Sequence, residues 1–154
     1  MLYILSIFKL GSGRETWTQH GQSDQYTCHH LYHAALQCED PSAQLQVKLY
    51  EFVTSNVTPQ PDGTLTFIKA KAFIPPPSSS TDLPVLFESQ ALIPFPGDVN
   101  LPDYDDHIPL DTHANVFALG TICGAHFTNV NGSVVFPMQV MEFIRGKSKM
   151  CIIE

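Results

Sequence analysis

Aromatic and basic side chains alternate along one apolar segment, an arrangement that could bind single-stranded nucleic acid. Phe67, Lys69, Lys71 and Phe73 follow one another at intervals of two residues, so in a β-strand their side chains share one face. Single strands are held by bases that stack on aromatic rings and by cations along the phosphate backbone. The alternative is that these phenylalanines belong to the core and the lysines are solvated edge residues.

A second basic group lies near the end of the chain, where Arg145, Lys147 and Lys149 also alternate. Further phenylalanines that could stack on bases are Phe117, Phe127 and Phe136. The residues predicted to bind nucleic acid are therefore Phe67, Lys69, Lys71, Phe73, Phe117, Phe136, Arg145, Lys147 and Lys149.

The overall charge opposes this interpretation. Fifteen acids against eight lysines and arginines give a formal net charge of −7, and a field of that sign repels phosphate polymers at long range. Binding of nucleic acid must therefore depend on local groups of cations.

Two other clusters contain residue types that can hold metal ions. Residues 28–38 contain two cysteines and three histidines, the ligand types of zinc, but the spacing matches no familiar zinc finger. Residues 103–113 contain clustered aspartates, which suit calcium or magnesium, without the glycine and closing glutamate of an EF-hand loop. We interpret the first cluster as ordinary half-buried residues and the second as a solvated acidic loop, and predict neither metal nor cofactor.

No catalytic motif is visible in the sequence. It has no nucleophile elbow, no glycine-rich phosphate loop and no dinucleotide fingerprint. We therefore predict a binding protein rather than an enzyme.

The segments that would position these residues have the sequence patterns of β-strands. Leu45, Val47 and Leu49 alternate with polar residues, as in a strand with one buried face. Asp62-Gly63 and Asn131-Gly132 are strong hairpin turn signals. Proline-rich residues 75–82 predict a surface loop, and residues 95–113 predict a long acidic connection.

Three further features of the sequence concern the domain boundary, the last strand and the location of the protein. Residues 1–25 contain an apolar start and then a polar stretch, which we interpret as an irregular lead-in to one domain over residues 26–154. Pro137 predicts an edge strand or a bulge in the last run. The four cysteines are irregularly spaced, and the apolar start has no basic residues before it. These features predict an intracellular protein, with the nucleus as one location. They also predict no membrane span.

The closing part of the sequence resembles a known family. Residues 115–122, the Asn131-Gly132 turn and residues 135–144 resemble the last strands of replication-protein-A-like single-stranded DNA-binding domains, and the rest is similar to OB-like proteins of mushroom-forming fungi. The resemblance covers roughly residues 64–144 and implies an OB fold that binds single strands.

The sequence therefore predicts an all-β protein with a small Greek-key, OB-like barrel of five to six strands and a long acidic loop. The predicted function is binding of single-stranded DNA or RNA through aromatic stacking and basic side chains. The alternative is a protein-interaction module, an adaptor or a homodimer, that uses an exposed β edge near Pro137 or the acidic loop of residues 98–111.

Overall fold

The computed structural model describes residues 1–19, 25–37, 44–54, 56–75, 84–107, 114–123, 128–130, 133–144 and 147–153. Within these ranges every regular element is a β-strand except one short 3₁₀ helix, Tyr104–His107, and no helix is long and apolar enough to cross a membrane. The all-β prediction is confirmed. The strands are β1 (Leu2–Lys9), β2 (Gly11–Gln19), β3 (Tyr26–Gln37), β4 (Gln44–Phe52), β5 (Leu65–Phe73), β6 (Val85–Pro94), β7 (Asn115–Ala118), β8 (Thr121–Ile122), β9 (Thr128–Val130), β10 (Ser133–Val135), β11 (Met138–Ile144) and β12 (Lys147–Ile153).

The largest sheet has seven strands in the order β2-β3-β4-β6-β5-β1-β7. β4 and β6 are parallel, and the other neighbouring pairs are antiparallel. Only Leu10 separates β1 from β2, yet β1 pairs with β5 and β2 pairs with β3. One continuous segment thus hydrogen-bonds to two distant parts of the sheet, which must therefore be strongly curved.

The core lies on the inner face of this curved sheet. In β1 and β5 every second residue is buried, including Ile4, Ile68 and Ala70, as expected for strands with one face turned to the core. The rings of Phe8 on β1 and Phe87 on β6 meet edge to face, with 5.7 Å between centroids. β1 and β3, which are four places apart in the sheet order, also contact each other.

A second sheet, in the order β12-β11-β8, packs against β1 and β5. Its buried side chains Val140, Ile144 and Cys151 join the same core. The backbone N–H of Leu2 donates to the carboxylate of Glu142 over 2.9 Å, which fixes the start of β1 to β11.

Several predictions need correction. Within the described ranges the strands form three separate sheets, and not the single closed barrel of five to six strands that the sequence predicts. The first 19 residues, predicted as an irregular lead-in, form β1 and β2. β2 was missed because it is held by pairing with β3 and its side chains are mostly exposed or half-buried, so it shows little apolar alternation.

The turn signals had different outcomes. Asp62-Gly63 does form a turn, with Gly63 at a φ of 86°, but it does not join paired strands, because β6 lies between β4 and β5. The strands on either side of Asn131-Gly132 do pair, with Val130 opposite Ser133. Pro137 lies in the break between β10 and β11, and β11 is the central strand of its sheet, not an edge.

Candidate nucleic-acid interface

β5 turns three of the predicted residues away from the core. Thr66, Ile68, Ala70 and Ala72 are buried on the inner side, so Phe67, Lys69 and Lys71 point outward. Phe67 is 37% exposed, and Lys69 is also exposed. This part of the strand therefore has the predicted alternation.

The same outward surface includes Tyr3, which the sequence analysis did not identify. Tyr3 on β1 stands beside Lys71 of β5 and Phe117 of β7 in the strand register, and Lys69 Nζ lies 5.7 Å from the centroid of its ring. We define the outward side chains of β7, β1 and β5 as the β5 face. Tyr3 was missed because only the non-local pairing of β1 places it there.

Two of the lysines on the β5 face already have partners. Lys71 Nζ is 3.7 Å from the buried Glu142 carboxylate and 3.5 Å from the Phe143 carbonyl oxygen. Lys9 Nζ is 2.7 Å from the Asp105 carboxylate. These contacts neutralise cations that a phosphate backbone would need.

The ring of Phe73 is not exposed on the β5 face and so cannot stack on a base there. It is only 6% exposed, and Lys149 Nζ lies 4.5 Å from the centroid of its ring. The cause is the packing of β11 and β12 against this end of β5, which sequence alternation cannot reveal.

The remaining predicted residues are dispersed. Phe136 is half-buried and Lys147 is exposed, while Phe117 is 57% exposed at the edge strand β7. Arg145 and Phe127 lie outside the described residues. The structure therefore brings Phe67, Lys69, Lys71 and Phe117 onto one face and separates them from Phe73 and the C-terminal lysines.

A second outward surface is formed by β2, β3 and β4, and we define its side chains as the β3–β4 face. The strand register places Arg14 opposite Leu31, and His33 opposite Lys48, on this side. Glu15 and Glu51 both pair with His30 in the register and lie on the inner side. Among the described residues of these three strands, no carboxylate points outward.

The cations of this face are available to a ligand. Among the described residues neither Arg14 nor Lys48 takes part in an ion pair. Phe52 is 64% exposed, and its ring meets His29 edge to face with 6.0 Å between centroids. The face therefore carries unpaired positive charge and an accessible aromatic ring.

A cavity of about 280 Å³ adjoins the β3–β4 face, at its border with the β11–β12 hairpin. Its lining residues come from β2, β4, β6, β11 and β12. The residues around it are Thr18, Tyr50, Leu86, Ile144, Lys147 and Lys149. The C-terminal lysines thus belong to this surface, while β5 contributes no lining residue.

A buried polar network supports β3 and β4 from within. His30 Nε2 donates to the Val57 carbonyl over 2.9 Å, the Tyr32 hydroxyl donates to the Glu51 carboxylate over 3.2 Å, and the Gln60 N–H donates to the Tyr32 oxygen over 3.1 Å. Burial raises the pKa of Tyr32 to about 12, with the negative charge of Glu51 acting in the same direction. The network ties the loop after β4 to both strands.

The two clusters of residue types that can hold metal ions do not assemble within the described part of the chain. There, no three histidine, cysteine, aspartate or glutamate side chains are placed to hold a metal ion. His29 and His30 point to opposite sides of β3, and Cys38, Asp111 and His113 lie outside the described residues.

A larger cavity, about 550 Å³, lies beside the loop that follows β6. Phe95, Asp98 and Tyr104 are among its lining residues. The backbone N–H and side chain of Asn100 donate to Asp98 and lower the pKa of that carboxyl. An ionised carboxylate makes this cavity unfavourable for phosphate.

Comparison with known proteins identifies no relative: no protein-family model, no curated protein and no solved structure matches the chain.

Proposed function

We propose that the protein is an OB-type domain that binds single-stranded DNA or RNA along the β3–β4 face. β1, Leu10 and β2 can be counted as one bent first strand, which makes β3 the second strand, β4 the third, β5 the fourth and β6 the fifth. Neighbouring strands in the sheet then follow the order first, second, third, fifth, fourth and first again. The third and fifth strands, β4 and β6, are the parallel pair. This order supports a five-stranded Greek-key arrangement of the OB type, in which the second and third strands bind oligonucleotides.

The observation that carries the proposed function is the charge of the β3–β4 face. The chain has a formal charge of −7, yet Arg14 and Lys48 lie on a face whose described residues on β2, β3 and β4 include no outward carboxylate. Phosphate contacts release counterions only where cations are not already paired within the protein. Phe52 adds a ring on which a base can stack.

The test is fluorescence anisotropy with a labelled oligothymidine of about 15 nucleotides, a length within the range covered by one OB domain. We expect saturable binding that weakens as salt is raised. Lys48→Glu should weaken it at least tenfold, and Lys69→Glu, the matched control on the β5 face, should change it less than about threefold. No binding at low salt, or equal losses in the two variants, contradicts the proposal.

A second candidate function, association with another protein, is favoured by a different observation. Met141, Phe143 and Met150 on the outward side of the β11–β12 hairpin are 63%, 59% and 52% exposed, and exposed apolar clusters often mark protein-interaction sites. Light scattering after size exclusion tests whether this hairpin joins two copies. A monomer at high concentration excludes the homodimer, and a dimer abolished by Met141→Lys supports it.

A further inference from the structure

The cavity under the β11–β12 hairpin is a separate feature from the β3–β4 face that it adjoins. Its volume of about 280 Å³ lies just below the roughly 300–1,000 Å³ of typical small-molecule sites. It can hold one terminal group of a ligand but not a run of nucleotides. A strand that follows the face can therefore place only an end, or one unit, inside it.

Two basic side chains line the cavity. Lys147 and Lys149 are two residues apart on β12, so both side chains turn to the same side, and both line the cavity. The ammonium group of Lys149 lies 4.5 Å from the centroid of the Phe73 ring. Two acids lie near the cavity among the described residues. The carboxylate of Glu142 pairs with Lys71. Glu88 of β6 lies beside Tyr50 and Lys71 in the strand register.

Two cations at one small cavity suit a group with two negative charges. A phosphodiester inside a strand carries one charge, whereas a terminal phosphate monoester carries about −1.5 to −2 at neutral pH. The hydroxyl groups of Thr18 and Tyr50, which also line the cavity, are of the type that hydrogen-bonds to phosphate oxygens.

We propose that this cavity binds the terminal phosphate of the single strand, so that the protein recognises phosphorylated ends. The inference rests on the proposed function, because the strand must lie on the β3–β4 face for its end to enter the cavity. The chemistry is the same for a 5′ and a 3′ phosphate.

The experiment compares three oligonucleotides of one sequence: with a 5′ phosphate, with a 3′ phosphate, and with hydroxyl groups at both ends. We expect one of the phosphorylated forms to bind about tenfold tighter than the unphosphorylated form, which corresponds to ~1.4 kcal/mol. Lys147→Gln should remove this preference and Lys147→Arg should keep it. The matched control, Lys48→Gln, should weaken all three oligonucleotides equally.

The pH dependence provides a second readout. A phosphate monoester takes up a proton with a pKa of about 6, so the preference should shrink as pH falls from about 7.5 to about 5. The unphosphorylated oligonucleotide corrects for other titrating groups over that range.

Three results would overturn the inference. If the three oligonucleotides bind equally to the unaltered protein, there is no end recognition, although the proposed function stands. If the preference survives in Lys147→Gln, the terminal phosphate lies elsewhere. If no oligonucleotide binds at all, both the inference and the proposed function are wrong.

Discussion

The β5 face and the β3–β4 face both combine aromatic rings with basic side chains, but they differ in what the cations contact. On the β5 face Lys71 is paired with Glu142 and Lys9 with Asp105, and Lys69 lies over the ring of Tyr3. On the β3–β4 face Arg14 and Lys48 have no ion-pair partner among the described residues. The number of basic residues on a surface therefore says less about phosphate binding than their pairing within the protein.

The largest effect should come from reversing two charges on each face. Arg14→Glu with Lys48→Glu, and Lys9→Glu with Lys69→Glu, both change the formal net charge from −7 to −11, since each of two cations becomes an anion. Because the long-range field changes equally, a difference between the variants reports local contacts. We expect the first pair to weaken oligonucleotide binding about 300-fold, ~3.4 kcal/mol, and the second less than about fivefold, by anisotropy titration. The reverse ranking would place the ligand on the β5 face.

The next effect concerns the stability of the strands beneath the β3–β4 face. The pKa of Tyr32 is raised from 10.0 to about 12, so between these values the unfolded chain releases the phenolic proton while the folded protein retains it. Stability from this group is complete below about pH 10 and is lost as pH rises through 12, by ~2.7 kcal/mol for two pKa units.

Urea unfolding at pH 8 and at pH 12 measures this loss, with Tyr32→Phe as the comparison. The variant should be less stable at pH 8 by ~1–3 kcal/mol, because Gln60 N–H and Glu51 lose their hydrogen-bond partner, and it should lose less stability on going to pH 12. An equal loss in both proteins would show that other groups govern the alkaline transition.

A smaller effect is expected from the aromatic rings. Phe52→Ala removes a ring that is 64% exposed, and loss of a base-stacking ring costs ~1–3 kcal/mol of binding free energy. Phe67→Ala, which removes a ring 37% exposed on the β5 face, should leave oligonucleotide affinity unchanged within about twofold. Quenching of a fluorescent base analogue in the oligonucleotide distinguishes stacking on Phe52 from a general loss of affinity. Quenching that persists in Phe52→Ala would assign the stacking to another ring.

The smallest effect is a change in salt dependence. Each phosphate contact with a single strand contributes about 0.7 to the slope of log affinity against log salt. Lys48→Gln should therefore lower the slope by about that amount, and Lys69→Gln should leave it unchanged. A slope that falls in Lys69→Gln alone would contradict the assignment of the phosphate path.

Local patterns in the sequence predicted some of this structure well. The alternation of Ile68, Ala70 and Ala72 with Phe67 and Lys69 identified β5 and its two faces, because a strand repeats every two residues. The Asn131-Gly132 turn predicted a hairpin, because its geometry is determined by adjacent residues.

The parts that depend on distant pairing were not predicted. The burial of Phe73 requires the hairpin that includes Lys149, and the pairing of Lys71 requires Glu142 of β11. Arg14 and Lys48 share a face only because β3 lies between β2 and β4. Side-chain periodicity gives the faces of one strand, but not which strands become neighbours.

The position of β1 in the large sheet has a consequence for how the chain folds. Its partners come much later in the sequence, since Tyr3 pairs with Lys71 and with Phe117. β1 is therefore synthesised well before either of its partner strands, and its apolar residues are covered only once β5 and β7 have followed. Contacts of such large sequence separation slow folding, and apolar strands that stay uncovered during that time favour aggregation.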